Sequence, residues 1–296
     1  MKTRPFLVHA LSPLHAGTGQ AADVIELPTA RMKATGIPFL PGSSIKGVLR
    51  DERTREAKAG GDTNDQEKVL AVFGPDSSQA EDHAGALVVS DARLLALPVR
   101  SFRGTFAWTT SPLLLMLTRR DLGVKLPVPA LDGRRALVSA ESACLHNDRI
   151  YLEDLDLPAE GSPALSEWTR WLAPLASPEE NTIFTKRFVV VDDETMTFLW
   201  ETATQVDARV RLSEQTRTVA RGALWLEESL PPETLLVGVM AADQSRRKGV
   251  SMTPEDVLDF ALGKEAVIQL GGKATTGRGR CRVVPIAIKE AAHEGA

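Results

Sequence analysis

A chain of 296 residues, 43% hydrophobic and 25% charged, can bury a core of ordinary size and has the balance of a soluble globular protein. Its net charge of −4 argues against a free-standing nucleic-acid binder, whose footprint is usually basic. Its longest apolar run, Leu113 to Leu117, is too short to cross a bilayer, and the mixed stretch after Met1 is no signal-peptide core, so no membrane partner is expected. The two cysteines, Cys144 and Cys281, stand in no CxxC pattern and no HExxH occurs; this argues against zinc and reads as reduced thiols in the cytoplasm.

In chain order, residues 5–14 read as an apolar strand, followed by a Gly-bearing loop at 15–20 and a short extended segment from Val24 to Leu27. After the turn-rich stretch 36–42, Ser43 or Ser44 offers an N-cap, and Ile45, Val48 and Leu49 form a helical stripe. Asp65 is placed to cap a second helix through Val69, Leu70 and Phe73, closed by Gly74 and Pro75. Residues 85–98 begin as a buried strand, and Ser111-Pro112 opens a helix that ends near Gly123. The proline-rich stretch 125–180 reads as an insertion with one amphipathic helix around Trp168 to Leu175. Phe188 to Val191 reads as a strand, and Phe198 to Thr202 as another. Residues 206–228 alternate as an extended hairpin, and 234–241 form a further strand. Thr253-Pro-Glu-Asp256 has the form of a capping box, and Val267 to Leu270 leads into a Gly-rich loop. Short strands and helices without a regular βα repeat predict an α+β fold with a ferredoxin-like core.

The charge is unevenly spread. Residues 1–55 carry eight basic against four acidic side chains, and Lys273 to Arg282 add four cations with no acid. A basic face in acidic surroundings suits a subunit that shares RNA with neighbours. Three segments carry candidate chemistry. In 41–50, a helix start with Gly42, Ser43 and Ser44 and with Lys46 and Arg50 one turn apart makes a phosphate cradle; an ordinary capped helix with a solvated basic face has the same pattern. In 271–280, Gly271, Gly272, Gly277 and Gly279 alternate with Lys273, Arg278 and Arg280, so amides and cations can meet a phosphodiester together; a plain hairpin turn reads alike. In 15–26, Asp23 and Glu26 can hold a hard divalent cation and His15 can move a proton, although solvated loop acids and a packed histidine fit as well. No GxxxxGK[ST] or GxSxG is present, which disfavours a small-molecule nucleotide enzyme or a serine hydrolase.

Taken together, residues 14–20 (LHAGTGQ), 35–50 (TGIPFLPGSSIKGVLR) and 268–279 (IQLGGKATTGRG) resemble the RAMP superfamily of CRISPR systems. Residues 89–110 (VSDARLLALPVRSFRGTFAWTT) and 221–234 (RGALWLEESLPPET) narrow the resemblance to the backbone-subunit family of type III-B (Cmr) complexes. The resemblance implies a single RAMP domain over 1–296. An RRM-like palm would be built from 1–124, 181–204 and 234–290, with a helical insertion near 125–180 and a β-hairpin thumb near 205–233. It implies guide crRNA, single-stranded target RNA, other Cmr subunits and copies of the chain itself, in a helical filament, as partners. It also implies cutting of the target at regular intervals with a divalent metal, Mg²⁺. Carried onto this chain, Glu26 is the catalytic and metal-binding carboxylate, His15 is its helper, and Lys46 contacts the guide backbone with Ser43, Ser44 and Arg50 beside it; Asp23 is a substitute carboxylate whose place does not match the motif, and Gly271, Gly272, Lys273 and Arg278 are RNA contacts by the chemistry of their loop. The family has aspartate directly before Leu-Pro, whereas this chain has Glu26 before Leu27-Pro28. The extra methylene displaces the carboxylate, and misplacement of about 1 Å can cost ~100-fold in rate, so an inactive RNA-binding scaffold is the alternative.

Overall fold

Pro5 to Ala10 are buried without interruption, so the first strand cannot lie on a sheet with one wet face. Phe6, Val8 and Ala10 point into one core and Leu7 into another, as a two-residue period requires. The computed structural model describes residues 1–17, 25, 27–61, 63–75, 83–213 and 215–287. Its elements are β1 (Lys2–Ala10), β2 (Phe39–Leu40), α1 (Gly42–Gly60), α2 (Thr63–Phe73), β3 (Leu87–Val89), β4 (Ala92–Arg100), β5 (Phe106–Thr110), α3 (Pro112–Leu122), β6 (Ala136–Val138), β7 (Arg149–Leu152), β8 (Leu155–Gly161), α4 (Ala164–Ala176), α5 (Asn181–Arg187), β9 (Phe188–Val191), α6 (Asp193–Thr202), β10 (Gln205–Leu212), β11 (Val219–Ser229), β12 (Leu235–Ala242), α7 (Pro254–Leu262), β13 (Ala266–Gln269) and β14 (Arg280–Pro285).

One large mixed sheet runs in the order β13-β14-β1-β12-β4-β5-β9-β6-β8-β7, with β2 beside β4 and β3 beside β12. The β5–β9 and β6–β8 pairs are parallel and the others antiparallel. Ile45, Leu49, Val69, Val72, Val257 and Leu258 from α1, α2 and α7 pack on one face. Leu115, Trp168, Leu172 and Phe184 from α3, α4 and α5 pack on the other. Leu235 pairs with Ala96 while Leu236 pairs with Leu94, a bulge that turns Leu95 and Ala96 to the same side. The strands β4-β5-β9-β6-β8-β7 curl until Ser101, just beyond β4, bridges Leu152 of β7. This ring removes the free edge that β7 would otherwise present. β10 and β11 stand apart as a two-stranded hairpin.

Several expectations meet the structure closely. Ser111 caps α3 with Pro112 at its first position and Gly123 in the left-handed conformation at its end. Thr253 and Asp256 form the capping box of α7. Three expectations are corrected. Residues 125–180 are not a helical insertion alone, because β6, β7 and β8 extend the main sheet from within them; these strands have only three to seven residues, too short for a clear alternation. Phe198 to Thr202 lie in a helix, not a strand: Asp192 accepts from the Thr195 N–H at 2.8 Å, and Met196, Leu199 and Trp200 are buried at helical spacing. Neither Ser43 nor Ser44 caps α1. Pro41 occupies the cap position, both serines are exposed in the first turn, and Asp91 Oδ1 accepts the Gly42 N–H at 2.8 Å from across the chain.

Both cysteines are buried thiols, and burial pushes Cys281 up to about 12 and Cys144 upward. No helix among the described residues is long and apolar enough to cross a membrane. Gly42 packs where a Cβ would lie 2.3 Å from the Val89 carbonyl oxygen. Gly42→Ala is therefore expected to lower unfolding free energy by about 1–3 kcal/mol in urea titration; an unchanged midpoint would show that β3 yields without cost.

Candidate nucleic-acid interface

Four segments meet where β1 ends. The chain leaves β1 at Ala10 and touches the base of the hairpin, with Leu14 and Leu230 exchanging both backbone hydrogen bonds at 2.8 and 2.9 Å. It returns at Leu27, which bridges Glu227 in parallel register: the Leu27 N–H donates to the Leu226 carbonyl and the Glu228 N–H to the Leu27 carbonyl. The Gly-rich loop closes the junction, the Gly272 N–H donating to the His15 carbonyl at 3.0 Å and the Gly279 N–H to the Pro13 carbonyl at 2.8 Å.

Glu228 is the common partner of these segments. Its carboxylate is buried, with Oε2 accepting the Thr29 N–H at 2.8 Å and Oε1 accepting Arg31 Nη2 at 2.5 Å and the Thr204 hydroxyl at 2.9 Å. Its backbone carbonyl accepts from His15 Nδ1 at 2.7 Å. A carbonyl can only accept, so the Nδ1 atom carries the proton and a neutral His15 ring keeps its lone pair on Nε2. Gly17 leaves room for that nitrogen, since a Cβ there would lie 2.7 Å from Nε2. Among the described residues, the buried Thr29 Oγ1 and Arg31 Nη1 have no hydrogen-bond partner. Glu26 and Asp23, the expected catalytic carboxylates, lie outside the described residues.

The Gly-rich loop is held to the other side of the hairpin. Gly271, at φ +73°, packs where a Cβ would meet the His15 carbonyl oxygen at 2.4 Å, and Gly272 lies beside the His15 ring. Lys273 Nζ sits 2.9 Å from Glu227 Oε1, which also accepts from Trp225 Nε1 at 2.8 Å. Burial pushes the Glu227 carboxyl up, but the bonds from Trp225 and Lys273 outweigh this and hold it below the usual range. Arg278 was expected to offer its guanidinium to a phosphodiester; instead it is buried. Its Nη2 lies 2.5 Å from Asp207 and its Nη1 donates to Ser229 Oγ at 2.5 Å, because the carboxylate and hydroxyl of the hairpin base face it. The Arg278 guanidinium in turn holds the Asp207 carboxyl below the ordinary aspartate value.

The other expected contact, at the start of α1, lies elsewhere. Gly42 is tied to Asp91 at the beginning of β4, whereas the junction adjoins Ala96 through Leu235 and His9. Five residues of strand, roughly 17 Å, separate the two levels of the sheet. Ser43 and Ser44 are exposed. Lys46 Nζ donates to the Leu87 carbonyl at 2.8 Å, and burial, then the Arg50 charge, lower its amine below the usual lysine value. Arg50 Nη1 reaches the Pro75 carbonyl at 3.4 Å. The expected residues thus form two groups: His15, Gly271, Gly272, Lys273 and Arg278 at the hairpin base, and Ser43, Ser44, Lys46 and Arg50 on α1.

Sequence reasoning missed Asp207, Glu227 and Glu228. One signal was available: two adjacent acids end the apolar run Leu224-Trp225-Leu226, and in a strand one of any two neighbours points inward.

The chain matches the RAMP superfamily over residues 7–282. It is 30% identical to the CRISPR system Cmr endoribonuclease Cmr4 of Pyrococcus furiosus, covering 97% of this chain and 96% of the relative. It is 24% identical to the CRISPR system CMR subunit Cmr4 of Saccharolobus solfataricus, covering 93% and 94%. In fold it resembles oligomeric Cmr4 from Pyrococcus furiosus, with a TM-score of 0.72 at 24% identity over 97% and 100% of the chains. It also resembles a chain of the type III-B Cmr-beta complex bound to cognate target RNA, with a TM-score of 0.71 at 19% identity over 96% and 97%. A family match over nearly the whole chain and a full-length relative at this identity place it plainly: the chain belongs to the RAMP superfamily and, within it, to the Cmr4 family.

Proposed function

We propose that this chain is the guide-RNA-binding backbone subunit of a type III-B CRISPR effector complex and cuts the target RNA at regular intervals in the cytoplasm. The observation that carries the reading is the parallel bridge of Leu27 to Glu227, which ties the backbone directly after Glu26 to the base of the hairpin beside His15. The Cmr4 relative named an endoribonuclease is alike over nearly its full length. The order β14-β1-β12-β4, with α1 and α7 as crossovers, supports an RRM-like palm. The hairpin β10–β11 is the thumb, and copies of the chain stack along the crRNA beside the other Cmr subunits.

In this reading Glu26 supplies the catalytic carboxylate, and a target 2′-hydroxyl splayed at the hairpin attacks the adjacent phosphorus, closing a 2′,3′-cyclic phosphate while the bond to the 5′-oxygen breaks and that oxygen leaves with a proton from water. His15 Nε2 is the acceptor that takes the hydroxyl proton, its ring fixed by the bond from Nδ1 to Glu228. No cluster of three metal-binding side chains occurs among the described residues. Mg²⁺ binds through one or two carboxylates with phosphate oxygens and water; Glu26 would hold it, and it would polarise the scissile phosphate. One feature favours a second reading as a silent scaffold: Glu26 is one methylene longer than the family's aspartate.

Glu26→Ala is expected to abolish regularly spaced cuts in a reconstituted complex with Mg²⁺ while target binding persists. Uncut target with the unmodified chain would establish the scaffold reading instead. Lys46→Ala is expected to weaken RNA binding for every guide sequence and to reduce the salt slope by about one, checked by filter binding across a salt series. Glu228→Gln leaves Arg31 without its buried counter-charge, so unfolding free energy should fall by roughly 3 kcal/mol and cutting should drop more than RNA affinity. Equal losses of cutting and affinity would contradict a role in placing the loop.

A further inference from the structure

The turn between β4 and β5 presents an aromatic ring to solvent. Phe102 is 75% exposed at its tip, beside the exposed Arg103. The turn is rigid. The Ser101 N–H donates to the Thr105 carbonyl at 3.0 Å, the Phe102 N–H to the Tyr151 carbonyl at 3.2 Å, and Arg187 Nε to the Gly104 carbonyl at 2.8 Å from behind. It is also strained, since Thr105 has φ +74°, a left-handed conformation that a β-branched residue rarely takes. Strain of this kind gathers where a ligand is held. Tyr151 and Phe102 meet edge to face at 6.0 Å between centroids, and with Phe102 75% exposed its ring keeps a free face. Arg100 pairs with Glu153, but Arg103 has no ion pair among the described residues.

The turn lies at the hairpin end of the sheet. β1, β12, β4 and β5 are consecutive, and the junction at Ala10 and the turn after Arg100 leave the sheet on the same side. Three strand spacings, about 14 Å, separate β1 from β5 across the sheet, and Phe102 stands six residues further along the chain than Ala96, which faces Leu235 at the level of the junction.

We propose that Phe102 and Arg103 form a base-stacking subsite for RNA, in which an unstacked nucleobase lies on the Phe102 ring and Arg103 meets the adjoining phosphate. The proposal rests on the reading of this chain as an RNA-binding subunit and adds a second contact to it. A nucleobase fits better than a protein surface, because one ring and one guanidinium offer a face of base size, well short of the roughly 800 Å² per partner of a stable protein contact. Stacking tolerates any base, as a guide of changing sequence requires.

The test is fluorescence anisotropy of the purified full chain with a labelled single-stranded RNA of mixed sequence, using Phe102→Ala, Phe102→Trp and Arg103→Ala. Phe102→Ala should weaken binding about tenfold with an unchanged salt slope, because stacking releases no counterion. Phe102→Trp should restore it, and Arg103→Ala should lower the salt slope by about one. Wild-type affinity in Phe102→Ala would overturn the subsite and leave the RNA-binding reading intact. Loss of subunit assembly with unchanged RNA affinity would overturn it in favour of a protein contact. Failure of the unmodified chain to bind RNA, alone or in the assembled complex, would overturn both readings.

Discussion

The buried carboxylate of Glu228 is the interaction on which the functional end of the molecule depends. One side chain takes hydrogen bonds from Thr29, Arg31 and Thr204, and its own peptide binds Leu27 and His15. A carboxylate removed from water must have such partners or protonate. Here the partners come from different parts of the chain, so satisfying the charge brings together the loop after residue 26, the histidine after β1 and the base of the hairpin. Asp207 and Glu227 repeat the device against Arg278 and Lys273. The hairpin is therefore tied at its base by charge and hydrogen bonds, while Val206, Val210, Leu212 and Leu224 remain exposed along it.

A second constraint is that both faces of the large sheet are covered. An RRM commonly stacks bases on its open sheet face. In this chain the sheet face turned away from α1 and α7 lies under α3, α4 and α5, with Leu7, Leu95 and Val237 packed beneath Trp168, Leu172 and Phe184. With that face covered, the loops at the strand ends and the hairpin are what the proposed RNA-binding role leaves for contacts. The strands supplied by residues 125–180 add to this, because they curl the sheet into a ring and bring Tyr151 against the β4–β5 turn.

The glycines of 271–279 act chiefly as spacers. Gly271 and Gly279 lie where a Cβ would fall 2.4 Å from the His15 carbonyl and 1.9 Å from the Leu270 carbonyl. Their lack of side chains lets the loop close on residues 13–15. The cations between them hold the hairpin: Lys273 faces Glu227 and Arg278 faces Asp207, so the charge excess read along this segment is largely balanced in three dimensions.

By itself, the sequence determined what rests on local chemistry. Caps at Ser111 and Thr253, the alternation of 206–228, the apolar runs of β9 and β12 and the mixed α+β class were legible because a cap or a period is written in consecutive residues. So was family membership: the segments around His15, Lys46 and Gly271 carried the superfamily, and residues 89–110 and 221–234 the narrower family. Tertiary structure alone decided which charges are spent. Arg278 reads as a free cation until Asp207, 71 residues away, is seen beside it, and Glu228 reads as a surface acid until Thr29 and Arg31 close over it. It also decided that Asp91, not a serine, meets the first turn of α1, and that short strands within 125–180 join the main sheet. Ion pairing, burial and strand partnership are relations between distant segments, and a one-dimensional pattern holds no record of the distance that brings them together.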